Sequence, residues 1–262
     1  MLMTAAGRNR IAKEVGKMEL KWIIRYVKVR YWTFKRYVLS RRASHKLGLR
    51  FTRKSDVYEV IHKKIYSQFP DFIPNKDDVV VDIGAQYGDY SILCEKVYGV
   101  RDITCFEPVH DSFTELQKNL KLNKCYWTNP IEAAIGKSRE EVFMYLRGRM
   151  LSNLQGTEYS NNQYTPLGKF DFHILDEYMI NSTLVKIDVE GYEMDVLEGM
   201  YFTLIGCKPK LIIEIHSSDL EKKCTEYLKE LGYTCKHVSD VRKGDSGNVA
   251  NYFFDHDKRR SE

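Results

Sequence analysis

Short apolar runs alternate with amphipathic segments from residue 79 onward, and this alternation limits the fold more than any other feature of the chain. The runs are 79–83 (VVVDI), 102–106 (DITCF), about 131–135 (IEAAI), 184–188 (LVKID) and 211–215 (LIIEI). Between them, 89–98, 110–123, 192–202 and 218–231 show helical periodicity. Strands that read as near-continuous apolar stretches, each followed by a helix, build a parallel sheet covered on both faces. Two last strands, near 233–238 and 251–255, have only a loop between them and are expected as an antiparallel closing pair. One section breaks the rhythm. Residues 137–182 hold two strand-like stretches, EVFMYL and FDFHIL, around a polar loop with Ser152, Asn153, Asn161 and Asn162. This reads as a hairpin insertion near the sheet edge or over an acceptor site. The 262 residues suffice for one such domain, 51–262, with an appendage at 1–50.

The appendage differs in charge. Residues 1–50 hold fourteen Lys and Arg against Glu14 and Glu19, whereas the remaining 212 residues hold 27 basic and 34 acidic side chains. Residues 17–39 read as a helix. Lys21, Arg25, Lys28, Lys35 and Arg36 fall on one face, and Trp22, Ile23, Tyr26, Val27, Phe34, Tyr37 and Val38 on the other, with Arg30 breaking the apolar side. Three partners suit the stretch 17–42: nucleic acid, an anionic membrane surface, or the protein's own body or a second copy in a homodimer. A second helix is expected over 56–68, where Asp56 and Glu59 have capping-box spacing, followed by the loop FPDFIPNKDD. No apolar run reaches the roughly 18 residues of a membrane span, and no uninterrupted apolar segment marks a secretory signal. The six cysteines show no zinc-type spacing, which points to reduced thiols and a cytoplasmic protein, peripheral at the membrane if the arm binds there.

The turn after the first run, DIGAQYGDYS, carries the first chemical signal. Asp82 ends the strand, and Gly84 and Gly88 sit in a turn at the carboxyl edge, where doubly wound sheets bind nucleotide-like ligands. The pattern is not GxGxxG, because Gln86 stands at the middle glycine position, and no Walker lysine follows. The ligand therefore need not carry a diphosphate, and S-adenosylmethionine carries none. Glu107, in CFEP at the end of the second run, is placed to accept both ribose hydroxyls. Ala133, Ala134 and Ile135 offer a small apolar wall for an adenine. The candidate cofactor residues are Asp82, Gly84, Ala85, Gln86, Gly88, Glu107, Pro108, Ala134 and Asp188.

The fourth and fifth runs, TLVKIDVEGYEMDVLEGM and KPKLIIEIH, carry the second. DIGAQYG, CFEP, KIDVEGYEMDVLEG and LIIEIH together resemble the FkbM-type methyltransferase family, and the resemblance extends over roughly residues 50–216, including RKSDVYEVIHKKIY and ILDEY. Gln86 stands where that family usually has Asn. The resemblance implies a Rossmann-like fold with seven strands in the order 3-2-1-4-5-7-6, S-adenosylmethionine as methyl donor, and transfer to a hydroxyl oxygen, often of a sugar or polyketide. In that order the fourth and fifth strands are neighbours, so Asp188, Glu190, Glu214 and His216 converge. His216 is expected as general base, neutral at its ordinary pKa of about 6.5, with Asp188 or Glu214 orienting it and Lys186 nearby. Asp188, Glu214 and His216 also form a candidate site for a divalent metal. The DVEG turn lacks the Asn/Asp-Pro-Pro-aromatic motif of many nucleobase methyltransferases, and the Asn129-Pro130 pair lies ahead of the third run. RNA ribose methylation, served by the basic arm, and a non-catalytic S-adenosylmethionine-binding module are the alternatives.

Overall fold

A computed structural model describes residues 31–52, 57–147, 150–153, 165–244 and 247–257. Its centre is β1 (Val79–Ile83), flanked in parallel register by β2 (Asp102–Phe106) and β8 (Leu184–Ile187). β3 (Thr128–Ile131) extends the sheet beyond β2, and β9 (Lys210–Ile215) beyond β8. β12 (Gly247–His256) then runs antiparallel to β9, and β10 (Tyr233–Val238) antiparallel to β12. The order β3-β2-β1-β8-β9-β12-β10 is the expected 3-2-1-4-5-7-6, and the closing pair is antiparallel as anticipated.

Why these runs became central strands is visible in their burial. Alternate residues of each strand enter opposite cores. Val80, Ile103, Leu184 and Ile212 pack on one side with Ile92 of α2 (Asp89–Leu93) and Leu116 of α3 (His110–Leu122). Val81, Val185, Ile187 and Ile213 pack on the other with Val196 of α4 (Glu193–Glu198), Leu204 of α5 (Tyr201–Gly206) and Leu228 of α6 (Ser218–Glu230). A strand covered on both faces has few polar positions, here chiefly the paired Asp82 and Lys186, which explains the nearly continuous apolar runs.

Several elements depart from expectation. The third run is split. β3 occupies Thr128–Ile131, so Asn129 and Pro130 lie within it, and the Ala133 N–H folds back on the Ile131 carbonyl at 3.1 Å. Pro130 is tolerated because β3 is an edge strand. Ala134–Ile135 forms β4 in a second sheet with β7 (Thr165–His173), β5 (Glu140–Arg147) and β6 (Met150–Asn153), ordered β4-β7-β5-β6. The two expected strands of the insertion do pair antiparallel, as β5 and β7, and β4 and β6 widen them into a small sheet; Ser152 and Asn153 belong to β6, and Asn161 and Asn162 lie outside the described residues.

The helix read over 192–202 is two helices. A Cβ at Gly199 would stand 1.9 Å from the Gly136 carbonyl oxygen, so the chain turns there. Asp176 restarts it by accepting from the Phe202 and Thr203 amides, both at 2.8 Å. The segment 56–68 holds only one wide turn, Tyr58–His62, before Lys64 takes a left-handed φ of 56°. Asp56, and with it the expected capping box, lies outside the described residues; Glu59 pairs with Lys63 and Arg36. α1 is helical over 31–46, past the expected end at 39; residues 17–30 lie outside the described residues. The loop expected over 239–250 contains a hairpin of β11 (Arg242–Gly244) with β12. No helix among the described residues is long and apolar enough to cross a membrane.

Candidate active site

The first turn of the sheet is pinned before any ligand arrives. Gly84 and Ala85 both donate to the Phe106 carbonyl, at 3.0 and 2.9 Å. Gly84 has φ +76°, and a Cβ there would lie 1.8 Å from the Asp188 carbonyl oxygen. Gln86 is left-handed and exposed, and its amide donates to Glu107 Oε2 at 2.8 Å. The Val109 amide donates to Glu107 Oε1 at the same distance. Each carboxylate oxygen keeps a further lone pair, so Glu107 remains able to accept two hydroxyls. Its burial pushes it up to about 7 despite these bonds.

A cavity of about 600 Å³ opens over this turn. Gly84, Ala85, Gln86, Glu107, Pro108 and Ala134 line one part of it; Lys186, Asp188, Glu190 and Glu214 line the other. Ala133, Ile135 and Pro108 add apolar lining to the same cavity as Glu107. The cations on the wall are each paired: Lys186 with Asp82, Arg242 with Glu214, and Arg36 with Glu59. A cavity whose cations are matched and whose other charges are acidic suits a sulfonium better than a diphosphate.

Two expected cofactor residues lie behind the cavity wall. Asp82 is fully buried, 3.0 Å from Lys186 Nζ, and accepts from Ser91 Oγ at 2.6 Å. Gly88 packs toward Leu116. Lys186 donates to the Gly84 carbonyl at 2.7 Å. Burial alone lowers its pKa, but Asp82 and Asp188 outweigh that and push it up to about 12. It is a fixed cation that fastens the glycine turn to β8, and no base.

The acid cluster forms because β8 and β9 run in parallel register, Ile187 beside Ile213, so their next residues project together. His216 is not the neutral base expected of it. Its Nδ1 lies 2.7 Å from Glu193 Oε1, and its Nε2 faces Glu190 at 3.3 Å, Glu214 at 3.7 Å and Asp188 at 3.8 Å. Burial lowers its pKa, yet the Glu193 hydrogen bond and the charges of Asp188, Glu193 and Glu190 push it up to about 9. It also does not line the cavity. An imidazolium that compensates four carboxylates is the reading the geometry supports.

Three participants carried no signal in the sequence reading. Tyr66 donates to Asp188 Oδ2 at 2.6 Å and lies 3.4 Å from Glu214 Oε2. Burial, then the charges of Asp188 and Glu214, push its phenol well up, so it stays a neutral donor. Arg242 of β11 reaches Glu214 Oε1 at 2.9 Å. Burial, then Asp188, raises Glu214 to about 7, with Arg242 and His216 opposing. Glu193 opens α4 and is completely buried.

The protein called Methyltransferase 1 of Beauveria bassiana is 26% identical over 166 residues, covering 54% of this chain and 67% of its own length. Hexuronic acid methyltransferase AglP of Haloferax volcanii is 24% identical over 156 residues, and the match spans 63% of that protein. The crystal structure of methyltransferase FkbM from Methylobacillus flagellatus superposes with a TM-score of 0.55 at 18% identity, covering 81% of this chain and 58% of that one, which shows a shared fold. The family model of the methyltransferase FkbM domain matches residues 82–235, from the buried aspartate before the glycine turn to the first closing strand, and the chain belongs to that family.

Proposed function

We propose that the protein transfers a methyl group from S-adenosylmethionine to a hydroxyl oxygen of a sugar or similar small molecule. One observation carries this reading: a single cavity joins Glu107 and the glycine turn to the Tyr66–Asp188–Glu214 cluster. S-Adenosylmethionine supplies an electrophilic methyl on a sulfonium. Glu107 accepts the ribose hydroxyls, and the acidic wall favours the positive sulfur. An alcohol has a pKa of roughly 16 and attacks poorly on its own, but its proton becomes acidic as the new C–O bond forms. Asp188, on the cavity wall, accepts that proton, while Tyr66 fixes one of its oxygens. His216 holds the neighbouring carboxylates in place without exchanging its own proton. Carboxylates, a guanidinium and a phenol converging on one pocket also suit the paired hydroxyls of a sugar, in keeping with the printed name of the Haloferax relative.

A second reading has its own observation. Ligand atoms of Asp188, Glu214 and His216 lie within 4.8 Å of one another, close enough to share a divalent cation. The two carboxylates fit Mg²⁺ or Mn²⁺; His216 would first have to release a proton.

Incubation with methyl-labelled S-adenosylmethionine and a panel of hexosides, uronic acids and single-stranded RNA tests both readings. Labelled product with the methyl on oxygen of a saccharide is expected, with turnover unchanged by EDTA. Loss of turnover in EDTA, restored by Mg²⁺, assigns the metal. Methyl transfer to RNA alone, or none to any acceptor by protein that binds the cofactor, overturns the proposal in favour of an RNA enzyme or a binding module.

A further inference from the structure

Four large aromatic side chains stand in water within seven residues of α1. Tyr31, Trp32, Phe34 and Tyr37 are 59%, 54%, 67% and 44% exposed. Single exposed apolar residues are ordinary, but a cluster marks a surface that something covers. Cations sit against the same rings: Lys35 Nζ is 4.7 Å from the Trp32 ring centre, and the Arg41 guanidinium 5.5 Å from that of Tyr37. Residues 31–50 hold six Lys and Arg and no Asp or Glu.

The other end of α1 is fastened to the body. Ser40 and Ser44 are buried, Arg41 donates to the Phe51 carbonyl at 2.6 Å, and Leu49 and Phe51 enter the core shared with β1. The helix is thus held to the body over its C-terminal half, while the aromatic side chains of 31–37 remain exposed. It also touches the active site, because Arg36 lines the cavity and pairs with Glu59 at 3.5 Å. Whatever takes up the aromatic cluster therefore lies near the cavity rim.

We propose that α1 is an interfacial anchor that seats the protein on an anionic membrane surface. Indole and phenol rings prefer the headgroup level of a bilayer, with Lys and Arg reaching the lipid phosphates. Charge complementarity supplies the orientation. The arm, residues 1–50, is strongly basic, while the rest of the chain has seven more acidic than basic side chains, so an anionic surface attracts one and repels the other. RNA is the poorer fit. A bound strand needs a positive groove that follows its backbone, whereas the cavity's three cations, Arg36, Lys186 and Arg242, are outnumbered by Glu59, Asp89, Glu107, Asp188, Glu190 and Glu214.

Co-sedimentation of the full-length protein with vesicles tests this. One set contains phosphatidylcholine alone, and the other about one third phosphatidylglycerol. Binding to the anionic vesicles, weak on the neutral ones and reduced by salt, is expected. Trp32→Ser combined with Phe34→Ser should weaken it by about tenfold or more, with S-adenosylhomocysteine binding unchanged, since both side chains are more than half exposed. Failure of wild-type protein that still binds S-adenosylhomocysteine to sediment overturns the anchor, as does a double variant that sediments like the wild type. Salt-sensitive retention on single-stranded RNA without vesicle binding assigns the arm to RNA. Concentration-dependent dimerisation abolished by the double variant, again without vesicle binding, assigns it to a second copy. Because cofactor binding is read separately, failure here is distinguishable from failure of the methyltransferase reading.

Discussion

Gly84→Ala is expected to destroy the cofactor site and most of the stability. The added Cβ would lie 1.8 Å from the Asp188 carbonyl oxygen and 2.9 Å from its carbon, both backbone atoms of the chain leaving β8. Neither can move without parting β1 from β8, which pair over four residues. The φ of +76° adds about 1–2 kcal/mol for any residue with a Cβ. A loss above about 4 kcal/mol follows, seen as a fall in melting temperature on the order of 10 °C. S-Adenosylhomocysteine affinity should fall beyond about a hundredfold, which is about 2.7 kcal/mol. Gly48 provides the internal control. Its φ is +70°, almost the same, but a Cβ there meets nothing within 4 Å. Gly48→Ala should therefore cost only the backbone term, about 1–2 kcal/mol. Equal melting temperatures for the two variants would contradict this account of the turn.

Asp188→Asn is expected to lower kcat by roughly 10²–10⁴, the usual range for a removed general base. The amide keeps the shape but cannot accept the proton from the attacking hydroxyl. Tyr66→Phe removes the 2.6 Å hydrogen bond to the same carboxylate and should cost about tenfold. Groups that act as a unit lose their effect together. The double variant should thus be little slower than Asp188→Asn alone. Retention of kcat within about threefold in Asp188→Asn would remove Asp188 from the reaction, and full additivity of the pair would show that Tyr66 does not act through it.

Much of this was legible in the sequence because burial leaves a pattern. Strands enclosed on both faces are mainly apolar, so β1, β2, β8 and β9 were visible, and their order follows the family resemblance. Glu107, Asp188 and Glu214 reach the cavity because each stands at or beside the carboxyl end of one of these strands. What failed to show depends on contacts distant along the chain. The split of the third run rests on the turn at Ala133 and on pairing of Ala134 and Ile135 with β7. The break at Gly199 rests on the Gly136 backbone. The charge of His216 is set first by Glu193, then by Asp188 and Glu190; Glu193 opens α4 and Glu190 lies in the turn after β8, and spacing alone does not aim them. Arg242 lies in a hairpin that read as a loop, and nothing local connects it with Glu214. Asp82 looked like a ligand contact because it precedes the glycine turn; its partner Lys186 lies on the neighbouring strand and draws it inward.

The most direct test of the central claim is titration calorimetry of S-adenosylhomocysteine into the purified protein, with Glu107→Ala and NAD as comparisons, at pH 6, 7 and 8. Burial holds Glu107 at about 7 in the free protein, so it has to lose its proton for both oxygens to accept ribose hydroxyls. Asp89 on the cavity wall, raised by burial to about 7, acts in the same direction for the ligand's ammonium group. Saturable binding is expected, tightening by up to about tenfold per pH unit as pH rises through 7, weakened and less pH-dependent in Glu107→Ala, and absent for NAD. Folded protein that does not bind S-adenosylhomocysteine, or that binds NAD equally well, would contradict the assignment of this cavity.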